Sequence, residues 1–123
     1  MMLWSDQVWI MVDIETTGPV FGRHSMTEIG AVAGSVTQGI LGRFEALLHP
    51  ISEEVLTSRA SYERAKKKGL PPAEAMRRLA EWSRPFIEQK ALFVARPAAF
   101  DWPWIVYYSW TYLKENPFGF KAV

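Results

Sequence analysis

The sequence predicts one mixed α/β domain, in which a three-strand antiparallel meander and one parallel strand form a sheet flanked by helices. Three observations support this prediction. The chain has 123 residues, which is the usual size of a single domain. Apolar residues make up 49% and charged residues 22%, an ordinary globular composition that argues against disorder. Strand and helix signals follow one another in the order β-β-β-α-α-β-α, which is typical of this class.

Three strands are expected in the first half of the chain. The segment Val8–Val12 is nearly continuous in apolar residues and indicates a buried strand over 7–14. Ile29–Ala33 has the character of a second strand, and a third runs over 40–49, where Pro50 ends it. Because the three are close in sequence, an antiparallel meander is expected.

Helices are expected in the second half, where the apolar period changes. The pattern predicts a helix over Arg59–Lys68 and another over Ala73–Gln89, which Pro85 should kink or shorten. Ala91–Ala95 predicts a short buried strand. A last helix is expected to begin with Asp101 as its N-cap and to run to about residue 114.

Composition excludes several kinds of site. The chain has no cysteine, which rules out disulfides, cysteine-ligated zinc and thiol catalysis, and its two histidines cannot form a three-histidine metal site. No apolar run approaches 18 residues, so no membrane span is expected. The first six residues have no basic segment followed by a long apolar one, so we expect no signal peptide and a cytoplasmic protein.

Charge is distributed unevenly along the chain. Residues 1–58 carry two arginines and seven acids, residues 59–90 carry nine basic residues and four acids, and the whole chain has a net charge of +1. An acidic half beside a basic segment suits a metal site next to a groove for a polyanion. The basic run over Arg59–Lys68 is equally consistent with a solvated helix face.

Two acidic motifs are candidates for chemistry. Asp13 and Glu15 share one face of the first strand, with about 7 Å between their Cα atoms. Desolvating two carboxylates is costly, and a divalent cation such as Mg²⁺ or Mn²⁺ would offset that cost. The turn that follows, Thr16-Thr17-Gly18, would expose backbone N–H groups beside the metal. The alternative is a strand that frays into an acidic surface turn.

The second motif is the Phe-Asp-Trp sequence around Asp101, which follows the fourth predicted strand. Sheets of this class bind ligands at the carboxyl ends of their strands. A plain helix N-cap is the alternative interpretation, and one carboxylate can serve in both roles.

Together, DIETTG over 13–18, TEIGAV over 27–32 and the Phe-Asp pair ending at Asp101 resemble the DEDD superfamily of 3′→5′ exonucleases, most closely the DnaQ-like and RNase T type. The resemblance spans about residues 8–113. It implies a ribonuclease-H-like fold, two metal ions (Mg²⁺ or Mn²⁺) and the 3′ ends of single-stranded DNA or RNA as substrate. It also implies metal-binding catalytic roles for Asp13, Glu15 and Asp101, with Thr16–Gly18 holding the 3′-terminal nucleotide.

The sequence departs from that family in two places. The family has a third motif, in which a histidine or tyrosine precedes a fourth aspartate, and these 123 residues contain no such motif after Asp101. We therefore expect a single domain that lacks the family's C-terminal strand and helix. Arg96 stands near the position where the family commonly has asparagine, and either a phosphate contact or a simple surface position is consistent with it.

Other candidates remain open. Glu28 precedes the second strand near the implied site, but a strand-edge acid is an equal alternative. His24 favours a surface loop. The aromatic residues of the last helix indicate core or interface packing and favour self-association where they are exposed. Two functions follow from the sequence: a metal-dependent 3′→5′ exonuclease, or an inactive exonuclease-like module that binds nucleic acid or a protein.

Overall fold

The computed structural model describes residues 4–119 and contains a four-stranded sheet. Strands β1 (Trp9–Thr16), β2 (Met26–Ser35) and β3 (Gly39–Leu47) form an antiparallel meander, and β4 (Leu92–Val94) pairs with β1 in parallel. The order across the sheet is β3-β2-β1-β4. This confirms the predicted mixed sheet. The expected absence of a signal peptide concerns a segment whose first three residues lie outside the described range.

Three α-helices accompany the sheet within the described residues. They are α1 (Arg59–Lys68), α2 (Pro72–Glu88) and α3 (Ala98–Leu113). The hydroxyl of Ser58 accepts a hydrogen bond from the backbone N–H of Ser61 and caps α1. The part of the chain that the structure describes contains no helix long and apolar enough to cross a membrane.

Two sequence expectations about the ends of the helices are wrong. Pro85 does not shorten α2, which continues to Glu88, because the proline falls in the last turns and Phe86 packs against the core there. Asp101 is not the N-cap of α3. That helix begins three residues earlier after Pro97, whose carbonyl accepts the N–H groups of Phe100 and Asp101, so Asp101 lies in the first turn.

The core lies between one face of the sheet and helices α2 and α3. Residues of β1 alternate, so Ile10, Val12 and Ile14 point into this core. The same cluster includes Met76, Leu79, Phe93, Trp104, Ile105 and Tyr108. The outward residues of β1 face the other side of the sheet, where exposed acids can meet a ligand.

Helix α1 lies across the edge of the sheet at which β1 and β3 end. Before the helix, the N–H groups of Leu56 and Thr57 donate to the carbonyl of Thr17, just beyond β1. After it, Leu70 exchanges backbone hydrogen bonds with Leu47 and His49, at the end of β3. The helix therefore extends from the turn after β1 to the far edge strand.

Candidate active site

Asp13 and Glu15 lie side by side on the outward face of β1, near its carboxyl end. Both are exposed, whereas their neighbours Val12 and Ile14 are buried. The strand stays paired with β2 as far as Thr16, so the two acids do not belong to a frayed end. The structure thus places both carboxylates on one rigid element, as the alternation of side chains predicts.

Two more acids share this face of the sheet. Glu28 of β2 lies directly opposite Glu15, and Glu45 of β3 lies opposite Gly30, which is itself opposite Asp13. The four carboxylate residues line a cavity of about 220 Å³. Because Gly30 has no side chain, the space between Asp13 and Glu45 is left open. Facing acids repel each other unless a cation lies between them.

Asp101 approaches Asp13 from the first turn of α3. Its side chain is only 3% exposed. Burial raises the pKa of Asp101, the negative charge of Asp13 raises it further, and the backbone amides of Ile14 and of Asp101 itself partly oppose this rise. The two carboxylates are therefore close enough to repel each other in a partly dry environment.

The donor chemistry of this cluster fits a hard divalent cation. Asp13 and Asp101 supply oxygen atoms and carry a repulsion that such a cation would relieve, and Glu15 lies on the same side of β1 as Asp13. Within residues 4–119, however, no three Asp, Glu or His side chains converge closely enough to form a complete metal cluster. The described residues thus supply part of a ligand set.

Hydrogen bonds to two other segments of the chain hold the turn after β1 in place. Thr17 is buried, its N–H donates to the carbonyl of Ser25, and its own carbonyl accepts from Leu56 and Thr57. The expectation that this turn exposes its backbone N–H groups is therefore wrong for Thr17. The carbonyl of Thr16 accepts a 2.8 Å hydrogen bond from the hydroxyl of Thr57, so a later segment fixes the shape of the turn.

His24 is buried, contrary to the surface position that the sequence favoured. Its ring packs so closely on Gly18 that a Cβ at that position would lie 2.5 Å from the ring. Its Nδ1 atom accepts the N–H of Val20 at 3.1 Å, and its Nε2 atom lies 3.8 Å from a carboxylate oxygen of Glu54. His24 therefore holds the loop between β1 and β2 and makes glycine necessary at position 18.

Arg64, Arg96 and His49 differ in their surroundings. The guanidinium of Arg64 lies 3.8 Å from the carboxylate of Glu28, at the border of the acidic cavity. Arg96 is exposed after β4 and forms no ion pair with the residues that are described. His49 is exposed, with its Nδ1 atom 3.0 Å from the carbonyl oxygen of Pro50.

Sequence reasoning missed Glu45 and the role of Glu54. Glu45 joins the cavity only through the register of β3 on β2, which places it beside Gly30. Glu54 reaches Arg23 at 2.6 Å as well as His24, across about thirty residues of sequence. The alternation of charged and apolar residues in β3 was a usable signal for Glu45, whereas no local pattern identifies Glu54.

Comparison with known proteins identifies the family. The model of the RNase T family, which is described as an exonuclease family, matches residues 10–120. The chain belongs to this family of exonucleases. The match includes Asp13, Glu15 and Asp101.

A curated relative and solved structures agree with this assignment. The chain is 35% identical over 124 residues to the 3′-5′ DNA exonuclease Cap18 of Escherichia coli, covering 95% of this chain and 65% of that protein. The fold is similar to that of E. coli exonuclease I in complex with an oligonucleotide (TM-score 0.71, 15% identity, 91% of this chain and 25% of that one). An apo structure of exonuclease I gives a TM-score of 0.70 at 14% identity, covering 91% of this chain and 26% of that one. The chain thus spans about two thirds of the length of Cap18 and a quarter of exonuclease I.

Proposed function

We propose that this chain carries the catalytic carboxylates of a metal-dependent 3′→5′ exonuclease that hydrolyses single-stranded DNA and releases nucleoside 5′-monophosphates. The observation that carries the proposal is the buried Asp101 beside Asp13. Asp13 in turn lines an acidic cavity together with Glu15. Membership of the exonuclease family supports the reaction. The similarity to a DNA exonuclease supports DNA over RNA as the substrate.

In this proposal the three carboxylates are the metal ligands. Asp13, Glu15 and Asp101 would hold two Mg²⁺ or Mn²⁺ ions. When bound, such ions supply an ionised water and neutralise charge that develops on the phosphate. Burial in the first turn of α3 fixes the direction of the Asp101 carboxylate, so that little reorganisation is needed.

The surrounding residues hold the strand. The turn Thr16–Gly18, kept in shape by His24, would receive the 3′-terminal nucleotide. Glu28 borders the same cavity and would add a negative charge beside the metal ligands. Arg96 is exposed after β4 and would contact a phosphate of the DNA.

The second candidate function is an inactive exonuclease-like module that binds nucleic acid or a protein. One observation favours it: among residues 4–119, no third carboxylate or histidine completes the pair formed by Asp13 and Asp101. His24 packs on Gly18, and the Nδ1 atom of the exposed His49 lies 3.0 Å from the carbonyl oxygen of Pro50, so neither contact identifies a general base.

Self-association is a further proposal for this chain. Trp110 of α3 is 50% exposed, and it borders an apolar groove of about 520 Å³ together with Phe21 and Tyr107. Burying such a groove between two copies would be favourable. Sedimentation velocity over a range of concentrations, with Trp110→Gln as the variant, distinguishes a monomer from a dimer formed through α3.

A nuclease assay separates the two functions. A 5′-labelled single strand, as DNA and as RNA, is incubated with Mg²⁺ or Mn²⁺, and with EDTA as the metal-free arm. We expect the DNA to shorten from its 3′ end, and we expect this activity to be lost in EDTA and in Asp13→Asn. The matched control is Asp6→Asn, which removes an exposed carboxylate whose side-chain hydrogen bond within residues 4–119 comes from Thr37 and should leave activity unchanged. Binding of the strand without cleavage in either metal would favour the inactive module.

A further inference from the structure

We propose that one flank of α1, formed by Arg64, Lys67 and Lys68, binds the phosphates of the DNA strand upstream of its 3′ end. This inference rests on the proposed function, because it places the strand relative to the carboxylate cavity. It assigns a binding surface to a helix that supplies no carboxylate to the acidic cavity.

The position of α1 gives it access to a bound strand. The helix begins beside Thr17, in the turn that follows β1, and ends beside Leu48 and His49 at the edge of the sheet. Its ten residues cover about 15 Å. A strand whose 3′ end enters at the turn and whose body passes along this edge would lie against α1 for that distance.

Arg64 fixes which flank of α1 faces the cavity. Its guanidinium lies 3.8 Å from the carboxylate of Glu28, which lines the cavity together with Asp13 and Glu15. Lys67 and Lys68 are three and four residues further on, so they stand on the same side of the helix as Arg64.

The charges on this flank are available to a ligand. Lys67 and Lys68 are exposed, and the structure over residues 4–119 gives neither of them an ion pair. The pair between Arg64 and Glu28 is itself long and solvent-exposed, so it contributes little and can be exchanged for a phosphate.

The other flank of the same helix carries basic residues that are already engaged. The guanidinium of Arg59 and the ammonium of Lys66 lie 5.2 Å and 5.9 Å from the ring centre of the buried Tyr62. Arg59 also lies 3.9 Å from Glu63. The helix therefore presents two groups of basic residues, and the group of Arg64, Lys67 and Lys68 lies on the side of the cavity.

The basic residues of this flank offset the repulsion between the acidic cavity and a DNA strand. A cavity with four carboxylates repels a polyanion, so a strand is held there only if cations lie beside it. A basic row next to the cavity supplies that attraction without any base contact, as in proteins that bind single strands regardless of sequence. A merely solvated helix face would show no such preference for one flank.

The test compares two double variants that remove the same charge from the same helix. Lys67→Gln/Lys68→Gln alters the proposed flank, and Arg59→Gln/Lys66→Gln alters the opposite flank. Binding of a 5′-fluorescent dT12 is measured by anisotropy in EDTA, over about 50 to 300 mM salt. We expect the first variant to weaken binding on the order of tenfold at the low-salt end and to reduce the salt slope by about 1.4, at about 0.7 per lost phosphate contact. The second variant should bind almost as the wild type does, and Lys67→Arg/Lys68→Arg should restore binding.

A cleavage arm separates this inference from the proposed function. For dT12 with Mn²⁺, Lys67→Gln/Lys68→Gln should raise KM and leave kcat unchanged, because these lysines hold the strand and lie outside the carboxylate cluster. Equal effects of the two double variants, or no binding of dT12 by the wild-type chain, would overturn the inference. If Lys67→Gln/Lys68→Gln alone weakens binding and the chain cleaves nothing, DNA binding by this flank is supported and the proposed exonuclease activity is refuted. If the chain cleaves DNA normally and the two double variants bind alike, the exonuclease activity is supported and DNA binding by this flank is refuted.

Discussion

At the scale of single residues, the acid in the first turn of α3 is held in an unfavourable state. Asp101 is buried and faces Asp13, so its ionised form is destabilised in the folded protein and its pKa is raised. A raised folded-state pKa means that the group stabilises the fold below its unfolded pKa. That contribution is lost as the pH rises through the folded pKa. Without a cation, the fold therefore tolerates this carboxylate at neutral pH at the expense of stability.

Replacing Asp101 by asparagine should stabilise the metal-free protein while abolishing activity. Asparagine keeps the size of the side chain and removes the charge that burial and Asp13 oppose. At pH 7 in EDTA we expect Asp101→Asn to raise Tm by about 2–5 °C, which corresponds to roughly 1 kcal/mol. Calorimetry from about pH 4 to about pH 7 should show the difference growing with pH. A lower Tm for the variant throughout that range would contradict the claim that burial and the charge of Asp13 destabilise the ionised Asp101.

The close contact between Gly18 and the ring of His24 predicts that a larger residue at position 18 destabilises the protein. A methyl group at position 18 would collide with the imidazole ring, so Gly18→Ala should lower stability by about 1–3 kcal/mol and disturb the turn that we propose to receive the nucleotide. Gly30→Ala is the matched control, because its Cβ would meet only a backbone oxygen of Asp13, at 3.9 Å. Urea unfolding of both variants checks this. Equal losses at the two positions would show that the ring is not the cause.

The sequence indicates the residues of the site unequally. Asp13 and Glu15 were predictable because alternation along a strand puts them on one face, and Asp101 because it follows a strand of the same sheet. The burial of His24 was not, because it depends on Gly18 and on Glu54, thirty positions later. No local pattern reports a contact of that kind.

At the scale of elements, a buried hydrogen bond ties α3 to the start of β2. The hydroxyl of Tyr108 accepts the N–H of Met26 at 2.8 Å, where β2 begins. Burial raises the pKa of Tyr108 far above its usual value, so the hydroxyl stays neutral. Because the same helix carries Asp101, this bond helps to set the distance between α3 and β1.

Tyr108→Phe should destabilise the protein more than Tyr107→Phe. The first change leaves the N–H of Met26 buried without a partner, which costs about 1–3 kcal/mol. The hydroxyl of Tyr107 forms no hydrogen bond with the residues described and is only half-buried, so its loss should be almost neutral. Chemical unfolding of the two variants measures the difference. Equal stabilities would mean that water replaces the lost partner.

Most elements followed from the sequence because their apolar period and their capping residues agree. The helix over Arg59–Lys68 matches its prediction, since Ser58 and Gly69 mark both ends. The start of α3 did not, because aspartate is a better N-cap than proline by propensity. Here the fixed backbone of Pro97 begins the helix instead, and Asp101 is left free to face Asp13.

At the scale of the whole molecule, the two faces of the sheet have different roles. One is covered by α2 and α3, and the other presents the carboxylate residues at one end. Register, which sequence alone does not reveal, decides that acids from three strands gather at a single end. The clustering of negative charge is therefore a property of the assembled sheet rather than of any motif.

Divalent cations should stabilise the whole fold through this cluster. A ligand that binds only the native state raises stability by about 2.7 kcal/mol at a concentration of 100 times its Kd. Thermal melts with and without Mn²⁺ should show a higher Tm for the wild type, and no shift for Asp13→Asn. Asp6→Asn should respond as the wild type does. A shift that survives in Asp13→Asn would place the cation elsewhere.

The parallel pairing of β4 with β1 has a consequence for the order of folding. Trp9 pairs with Leu92, a separation of 83 residues, whereas β1, β2 and β3 are joined by short connections. Closing a long loop is entropically costly, so the meander should form early and β4 late. Phe93→Ala should then give a φ-value near zero, and Ile29→Val a clearly larger one. In that case Asp101, which follows β4, comes close to Asp13 only late in folding. By then the contacts of the formed meander offset the repulsion between the two carboxylates.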